Sequence, residues 1–198
     1  MIIKDWKKDI LTIPNLLSLF RLVLIPIYIV IYLNAKDATD YYIAGGILAV
    51  SCLTDAIDGK IARHFNMIST LGKILDPLAD KITQLTLVLC LAIRHPVLWL
   101  LVTLFVVKES FQLIAGFLTL RRGKMLSRAL LAGKISTTVL FVSLILLVLM
   151  PNLSPTAVQI ITLLDCTVLV IAFISYAKTY YTQSPIIQEL ENNETESE

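Results

Sequence analysis

Four aspartates, Asp55, Asp58, Asp76 and Asp80, stand within one 26-residue stretch of a chain that is otherwise strongly apolar. An isolated carboxylate placed in hydrocarbon costs several kcal/mol, so acids in such surroundings face a cavity, a partner or an ion. Their spacing offers a way to share one. On a helix, Asp55, Asp58, Gly59 and Ala62 fall at i, i+3, i+4 and i+7 and form one stripe; Gly72, Asp76 and Asp80 fall at i, i+4 and i+8 and form a second. Two helices packed with these stripes facing would bring oxygen ligands together, with small residues between them. Oxygen-only ligation favours a hard ion such as Mg²⁺ or Mn²⁺, and Mg²⁺ is usually held by a few carboxylates together with substrate phosphates. The chemistry implied is handling of a phosphate. Packing alone, with the acids paired to Arg63, Lys73 and Lys81, is the weaker alternative.

The stretch reads D-x-x-D-G-x-x-A-R, eight residues, then G-x-x-x-D-x-x-x-D. It resembles the signature of the CDP-alcohol phosphatidyltransferase family, with every fixed position filled. The resemblance implies two metal ions, Mg²⁺ or Mn²⁺, held by Asp55, Asp58, Asp76 and Asp80, and a CDP-linked lipid bound at Gly59, Ala62, Arg63 and Gly72. It further implies that Asp80 takes the proton from an acceptor hydroxyl, which attacks the phosphorus bearing diacylglycerol and expels CMP. The likeness covers most of Ile13 to Lys178 and is highly specific only in the aspartate stretch.

The 198 residues are 57% hydrophobic and 16% charged, in long apolar runs with brief polar breaks, which is the composition of a polytopic membrane protein. The expected fold is an all-α integral membrane protein with six transmembrane helices. The spans are Leu16 to Leu33, Tyr42 to Ala62, Gly72 to Ile93, Val97 to Leu120, Ala129 to Met150 and Thr156 to Tyr176. Residues 1–180 then form a single transmembrane domain and residues 181–198 an acidic, disordered tail. Lys4, Lys7, Lys8, Lys60, Arg63, Lys73, Arg121, Arg122, Lys124, Arg128, Lys134 and Lys178 fall on one side of these spans; Lys36 and Arg94 fall on the other. By the positive-inside rule both termini and the aspartates face the cytoplasm; the N-terminal stretch is not an Arg-rich, acid-free transit peptide, and a bacterial inner or plasma membrane is the expected location.

Met1 to Leu11 places Ile2, Ile3, Trp6 and Ile10 on one helical face, which suits a short interfacial helix; a frayed terminus explains so short a segment equally well. Arg21 lies about two turns into the first span, where it either snorkels or faces the polar cavity near the acceptor or the aspartates. The resemblance of T-I-P-N-L-L-S-L-F-R to the first span of the phosphatidylglycerophosphate synthase and cardiolipin synthase branches favours the cavity. Asn34 to Tyr41 reads as a polar loop with no motif. Pro77 argues for a helix beginning close to Leu75 or slightly earlier, since proline is tolerated in a first turn. Lys108 and Glu109 sit together mid-span; neighbouring helix positions point about 100° apart, so each is expected to find another partner. Asp165, inside the sixth span, pairs either across a subunit interface or with a neighbouring helix. Cys52, Cys90 and Cys166 have no metal-like spacing and read as core residues, and neither His64 nor His95 is expected to act as a ligand.

Gly133, Lys134, Ser136 and Thr137 are similar to the G-K-x-x-T pattern that opens the fifth span of phosphatidylglycerophosphate synthases. Arg128 and Lys134 are therefore candidates for gripping an anionic acceptor, and Arg21 and Lys108, from the first and fourth spans, join them. Such a basic site disfavours amino alcohols. It favours sn-glycerol 3-phosphate, giving phosphatidylglycerophosphate, with phosphatidylglycerol as the runner-up acceptor of a cardiolipin synthase. A divalent-cation transporter would leave Gly59, Ala62 and Gly72 without a purpose. Intramembrane prenyltransferases are longer and space their aspartates differently, and a scaffold would not need four convergent acids. The family resemblance implies a homodimer, with membrane lipids rather than nucleic acid as partners.

Overall fold

The computed structural model describes residues 12–64, 72–121 and 129–182; for residues 13, 14, 55, 56, 58–64, 72–74, 116–121, 129–132 and 182 only the backbone is described. The N-terminal segment up to Leu11, the turn at 65–71, Arg128 and residues 183–198 lie outside the described residues.

Among the described residues the chain is all-helical, with six helices: α1 Ile13–Asn34, α2 Ala38–His64, α3 Gly72–Arg94, α4 Leu98–Arg121, α5 Ala129–Leu149 and α6 Pro155–Thr182. The shortest has 21 residues, about 31 Å at 1.5 Å per residue, comparable to a bilayer's hydrocarbon core. Among the described residues, three segments are both long and apolar enough to cross a membrane: Asn15–Asn34, Leu98–Ala115 and Pro155–Tyr181. Gly133–Leu149 is apolar but shorter, and α2 and α3 are diluted by the aspartate stretch itself.

Local signals account for the helix ends. At α1, the Thr12 side chain accepts a hydrogen bond from the Asn15 backbone N–H at 3.4 Å and Pro14 occupies the first turn. The segment expected as a motif-free loop ends earlier than Tyr41, because α2 begins at Ala38. Asp40 reaches back to accept from the backbone N–H groups of Lys36 at 2.9 Å and Asp37 at 3.4 Å, a carboxylate version of the capping box. These bonds also hold the Asp40 carboxyl below its ordinary pKa. α3 begins at Gly72, so Pro77 stands beyond the first turn rather than within it. α6 runs on to Thr182, past the expected end at Tyr176.

The chain divides into two compact units. The first holds α1, α2 and α3 with residues Leu144–Leu153, and in it α1 packs on both α2 and α3. Its core is aromatic where Tyr28 stacks on Tyr32 and Tyr32 meets Tyr41 edge-on, at centroid separations of 5.5 and 5.6 Å. Beside these rings Arg94, at the end of α3, donates to the carbonyls of Tyr32 at 3.1 Å and Ala35 at 2.9 Å, which satisfies orphan acceptors at the C-terminus of α1. The second unit holds α4, α6 and the part of α5 up to Ser143. In it α4 packs on α6, with Phe111 edge-on to Phe173 and Tyr180.

Polarity runs inside out. On α1, Asn15, Ser18 and Arg21 are buried, while Leu16, Leu19, Phe20, Val23, Ile27 and Val30 are exposed. On α6, Thr162 and Asp165 are buried, while Ile160, Leu163, Leu164, Ile171 and Ile174 are exposed. A helix in water would show the reverse, so these faces are built for lipid.

Candidate active site

Within the first unit α1 presents a polar stripe to α3. Asn15, Ser18 and Arg21 recur every three residues on the buried face of α1 and Asp76 and Asp80 are one turn apart on α3. The Ser18 hydroxyl donates to Oδ1 of Asp76, and the Arg21 guanidinium donates through Nη1 to Oδ1 of Asp80 in an ion pair. Ser18 and Arg21 are 0% and 2% exposed, whereas the Asp80 side chain remains 44% exposed. Arg21 therefore does not snorkel; it is buried and held against an aspartate. A small pocket opens beside it, lined by Tyr28, Ser51, Thr83 and apolar neighbours including Leu24, Leu48 and Leu87.

Asp55 and Asp58 stand in the last turns of α2, and Gly72 opens α3. In the register of α2, positions 55 and 58 continue the heptad-like series of Tyr41, Ala44, Leu48 and Ser51, which are buried. The side-chain placement of Asp55, Asp58, Gly59, Ala62, Arg63 and Gly72 lies outside the described residues. Among the described residues there is accordingly no group of three or more potential metal ligands. The two described carboxylates suit a hard cation: both are oxygen donors, both are partly exposed, and each is steadied through one oxygen.

Of the four residues expected to grip the acceptor, Arg21 is the one found against an aspartate. Lys108 and Lys134 belong to the second unit, and Arg128 lies outside the described residues. Lys108 is buried and donates to Oε1 of its neighbour Glu109 at 2.7 Å, with Nζ 5.8 Å from the Tyr176 ring centroid. Adjacent positions meet here because two long flexible side chains swing across the angle that separates their Cα–Cβ bonds. Lys134 is exposed. Gly133 has a packing reason to be glycine, since a Cβ there would collide with the Tyr176 ring. The hydroxyls of Ser136 and Thr137 donate to the Gly133 carbonyl, at 2.9 and 2.8 Å. Asp165 is 1% exposed and interacts with the Ser143 hydroxyl of the neighbouring helix α5, in a geometry short of a standard hydrogen bond.

Ser18 escaped the sequence reasoning. Its signal was available as the i, i+3, i+6 spacing of Asn15, Ser18 and Arg21, but a serine in an apolar helix ordinarily bonds back to its own backbone.

The helical architecture, the inside-out faces and the paired aspartates define a membrane protein with an acidic site at a helix contact. A sequence profile of the CDP-alcohol phosphatidyltransferase family matches residues 11–178, and the chain belongs to that family. Among its relatives, the cardiolipin synthase (CMP-forming) / mitochondrial hydrolase fusion protein of Schizosaccharomyces pombe is 41% identical over 91 residues, 45% of this chain and 14% of that protein. A putative cardiolipin synthase of Mycobacterium tuberculosis is 38% identical over 111 residues, 56% of this chain and 51% of the relative. A probable phosphatidylglycerophosphate synthase of the same species is 29% identical over 162 residues, 81% of this chain and 76% of the relative. The chain thus spans about half the length, or less, of the first two relatives.

Proposed function

We propose that this protein is a metal-dependent CDP-alcohol phosphatidyltransferase of phospholipid biosynthesis, which transfers the phosphatidyl group of CDP-diacylglycerol to an alcohol and releases CMP. The observation that carries this is the pair Asp76 and Asp80, held by a buried serine and a buried arginine in a chain with the family's full aspartate pattern. Asp55, Asp58, Asp76 and Asp80 would hold two ions, Mg²⁺ or Mn²⁺, which when bound supply positive charge opposite the diphosphate. Gly59, Ala62, Arg63 and Gly72 would receive the nucleotide end of the lipid. Asp80 would remove the proton of the acceptor hydroxyl, the oxygen would attack the phosphorus carrying diacylglycerol, and CMP would depart with the bonding electron pair.

The acceptor we propose is sn-glycerol 3-phosphate, with Arg128 and Lys134 as candidates for its phosphate. The alignment to a probable phosphatidylglycerophosphate synthase supports this, since it runs well beyond the aspartate stretch. The higher identities to proteins named cardiolipin synthase favour a second reading, with phosphatidylglycerol as acceptor. We further propose six spans forming one domain over residues 1–180, both termini and the site on the cytoplasmic side of a bacterial cell membrane, and a homodimer. The test is CMP release by purified protein given CDP-diacylglycerol and Mg²⁺ or Mn²⁺, with glycerol 3-phosphate and phosphatidylglycerol in separate reactions. Release with glycerol 3-phosphate alone is expected; release with phosphatidylglycerol alone moves the assignment to the second reading. Release with neither, together with no binding of CDP-diacylglycerol, would sink the transferase reading.

A further inference from the structure

We propose that Ser18 and Arg21 are positioning residues, through which α1 sets the orientation of the two aspartates on α3. The inference rests on the reading of Asp76 and Asp80 as metal ligands and of Asp80 as the base.

The two contacts are successive rungs of one helix pairing. Ser18 meets Asp76 and Arg21 meets Asp80, so residue numbers rise together on both helices and α1 and α3 run parallel here. A similar offset recurs at the far end of the pair, where Arg94 reaches the carbonyls of Tyr32 and Ala35. The register is thus fixed at both ends, and the contacts to the aspartates sit at its N-terminal end. Burying a guanidinium in an apolar bundle costs several kcal/mol unless it is paired. Arg21 is buried at the place where its charge meets Asp80.

A carboxylate has two oxygens, and its two orientations about χ2 are nearly equivalent until one oxygen is engaged. In both aspartates the Oδ1 atom is taken by a donor from α1, a charge-assisted bond in each case. That choice fixes the plane of each carboxylate and hence the direction offered to a cation or a hydroxyl proton. Donors standing behind metal ligands in this way typically alter metal affinity or activity by about 10- to 100-fold when removed. Arg21 then acts through Asp80 rather than on the acceptor.

Mn²⁺ binding to the full-length protein in detergent, followed by the electron paramagnetic resonance of free Mn²⁺, tests this for Ser18→Ala, Ser18→Thr and Arg21→Lys. Lysine keeps the positive charge, so its effect on cation binding is one of geometry alone. We expect Ser18→Ala and Arg21→Lys to weaken Mn²⁺ binding about tenfold or more and to lower kcat, with the acceptor KM changed little. Ser18→Thr, which keeps the hydroxyl, should restore both. Unchanged Mn²⁺ binding with a raised acceptor KM in Arg21→Lys would mean that Arg21 grips the acceptor, and tighter Mn²⁺ binding would mean that it competes with the ion; either overturns the proposal. Wild-type binding in Ser18→Ala also overturns it, and that variant removes no charge, so it serves even if Arg21→Lys fails to fold. Asp80→Ala separates the two levels. If wild-type protein binds no Mn²⁺ that Asp80→Ala loses, the metal reading itself fails and the proposal with it. If Asp80→Ala loses binding while the α1 variants do not, only the positioning role fails.

Discussion

Asp80 carries the most weight at the scale of single residues. Its ion pair with Arg21 supplies a neighbouring positive charge, and its exposure keeps it within reach of a substrate. Asp80→Asn is nearly isosteric but cannot accept a proton. CMP release should fall about 10²- to 10⁴-fold or more while the circular dichroism spectrum stays close to wild type; the melting temperature should fall, because the neutral amide no longer offsets the charge of the buried Arg21. Lys108 and Glu109 make a different prediction. Their side chains are 3% and 12% exposed, so Lys108→Met leaves a buried carboxylate without the Lys108 charge. The loss should be about 3–5 kcal/mol of stability, visible as a lower unfolding midpoint. Asp165 calls for the opposite change. Its oxygens are buried with no hydrogen bond of standard geometry among the described residues and with the Ser143 hydroxyl as a weak partner, so Asp165→Leu should raise stability by about 1–3 kcal/mol. A drop in melting temperature would show that Asp165 has a partner in the folded protein.

At the scale of elements, α1 and α3 are fastened at both ends by different chemistry. The Arg94 end is structural: two hydrogen bonds to carbonyls, with the guanidinium carbon 5.4 Å from the Tyr32 ring centroid and 5.0 Å from that of Tyr41. Arg94→Ala should cost about 1.5–3 kcal/mol, measured by thermal melting, with little effect on metal binding at the opposite end. Next to it, burial and then the Arg94 charge hold His95 below the ordinary imidazole value. The folded state therefore binds its proton less readily than the unfolded chain does. Stability is full above about pH 6.5 and is lost as pH falls through the folded-state value. His95→Gln should flatten that part of a stability-versus-pH curve. Asp40 has the same sign through a lowered carboxylate value, but its loss sets in only below about pH 4, so the two groups are separable by pH.

For the whole molecule, the exposed leucines, isoleucines and valines of α1, α4 and α6 form apolar faces far larger than a water-soluble monomer carries. In detergent the protein should stay monodisperse, and it should aggregate when detergent is diluted below its micellar concentration, which light scattering would follow. A ligand that binds only the folded state stabilises it by mass action, by about 2.7 kcal/mol at one hundred times its dissociation constant. CDP-diacylglycerol with Mn²⁺ should therefore raise the melting temperature more than Mn²⁺ alone. An equal response to the ion by itself would favour cation transport over transfer.

The sequence by itself determined the helices and the site's raw materials. Apolar runs bounded by Thr12-Pro14, by the polar break before Ala38 and by Pro96 placed the six helices to within a few residues, because lipid-facing segments must satisfy their backbones internally. The aspartate spacing singled out the candidate site because fixed polar positions in apolar helices have few other purposes. Tertiary structure decided the rest. It set Arg21, expected near the acceptor or the aspartates, against Asp80, brought Ser18 to Asp76, and closed Lys108 onto Glu109. Helical periodicity gives the face on which a residue lies, but which residue stands opposite depends on the register between helices. That register is set by the packing of α1 against α3, from Ser18 and Asp76 at one end to Ala35 and Arg94 at the other.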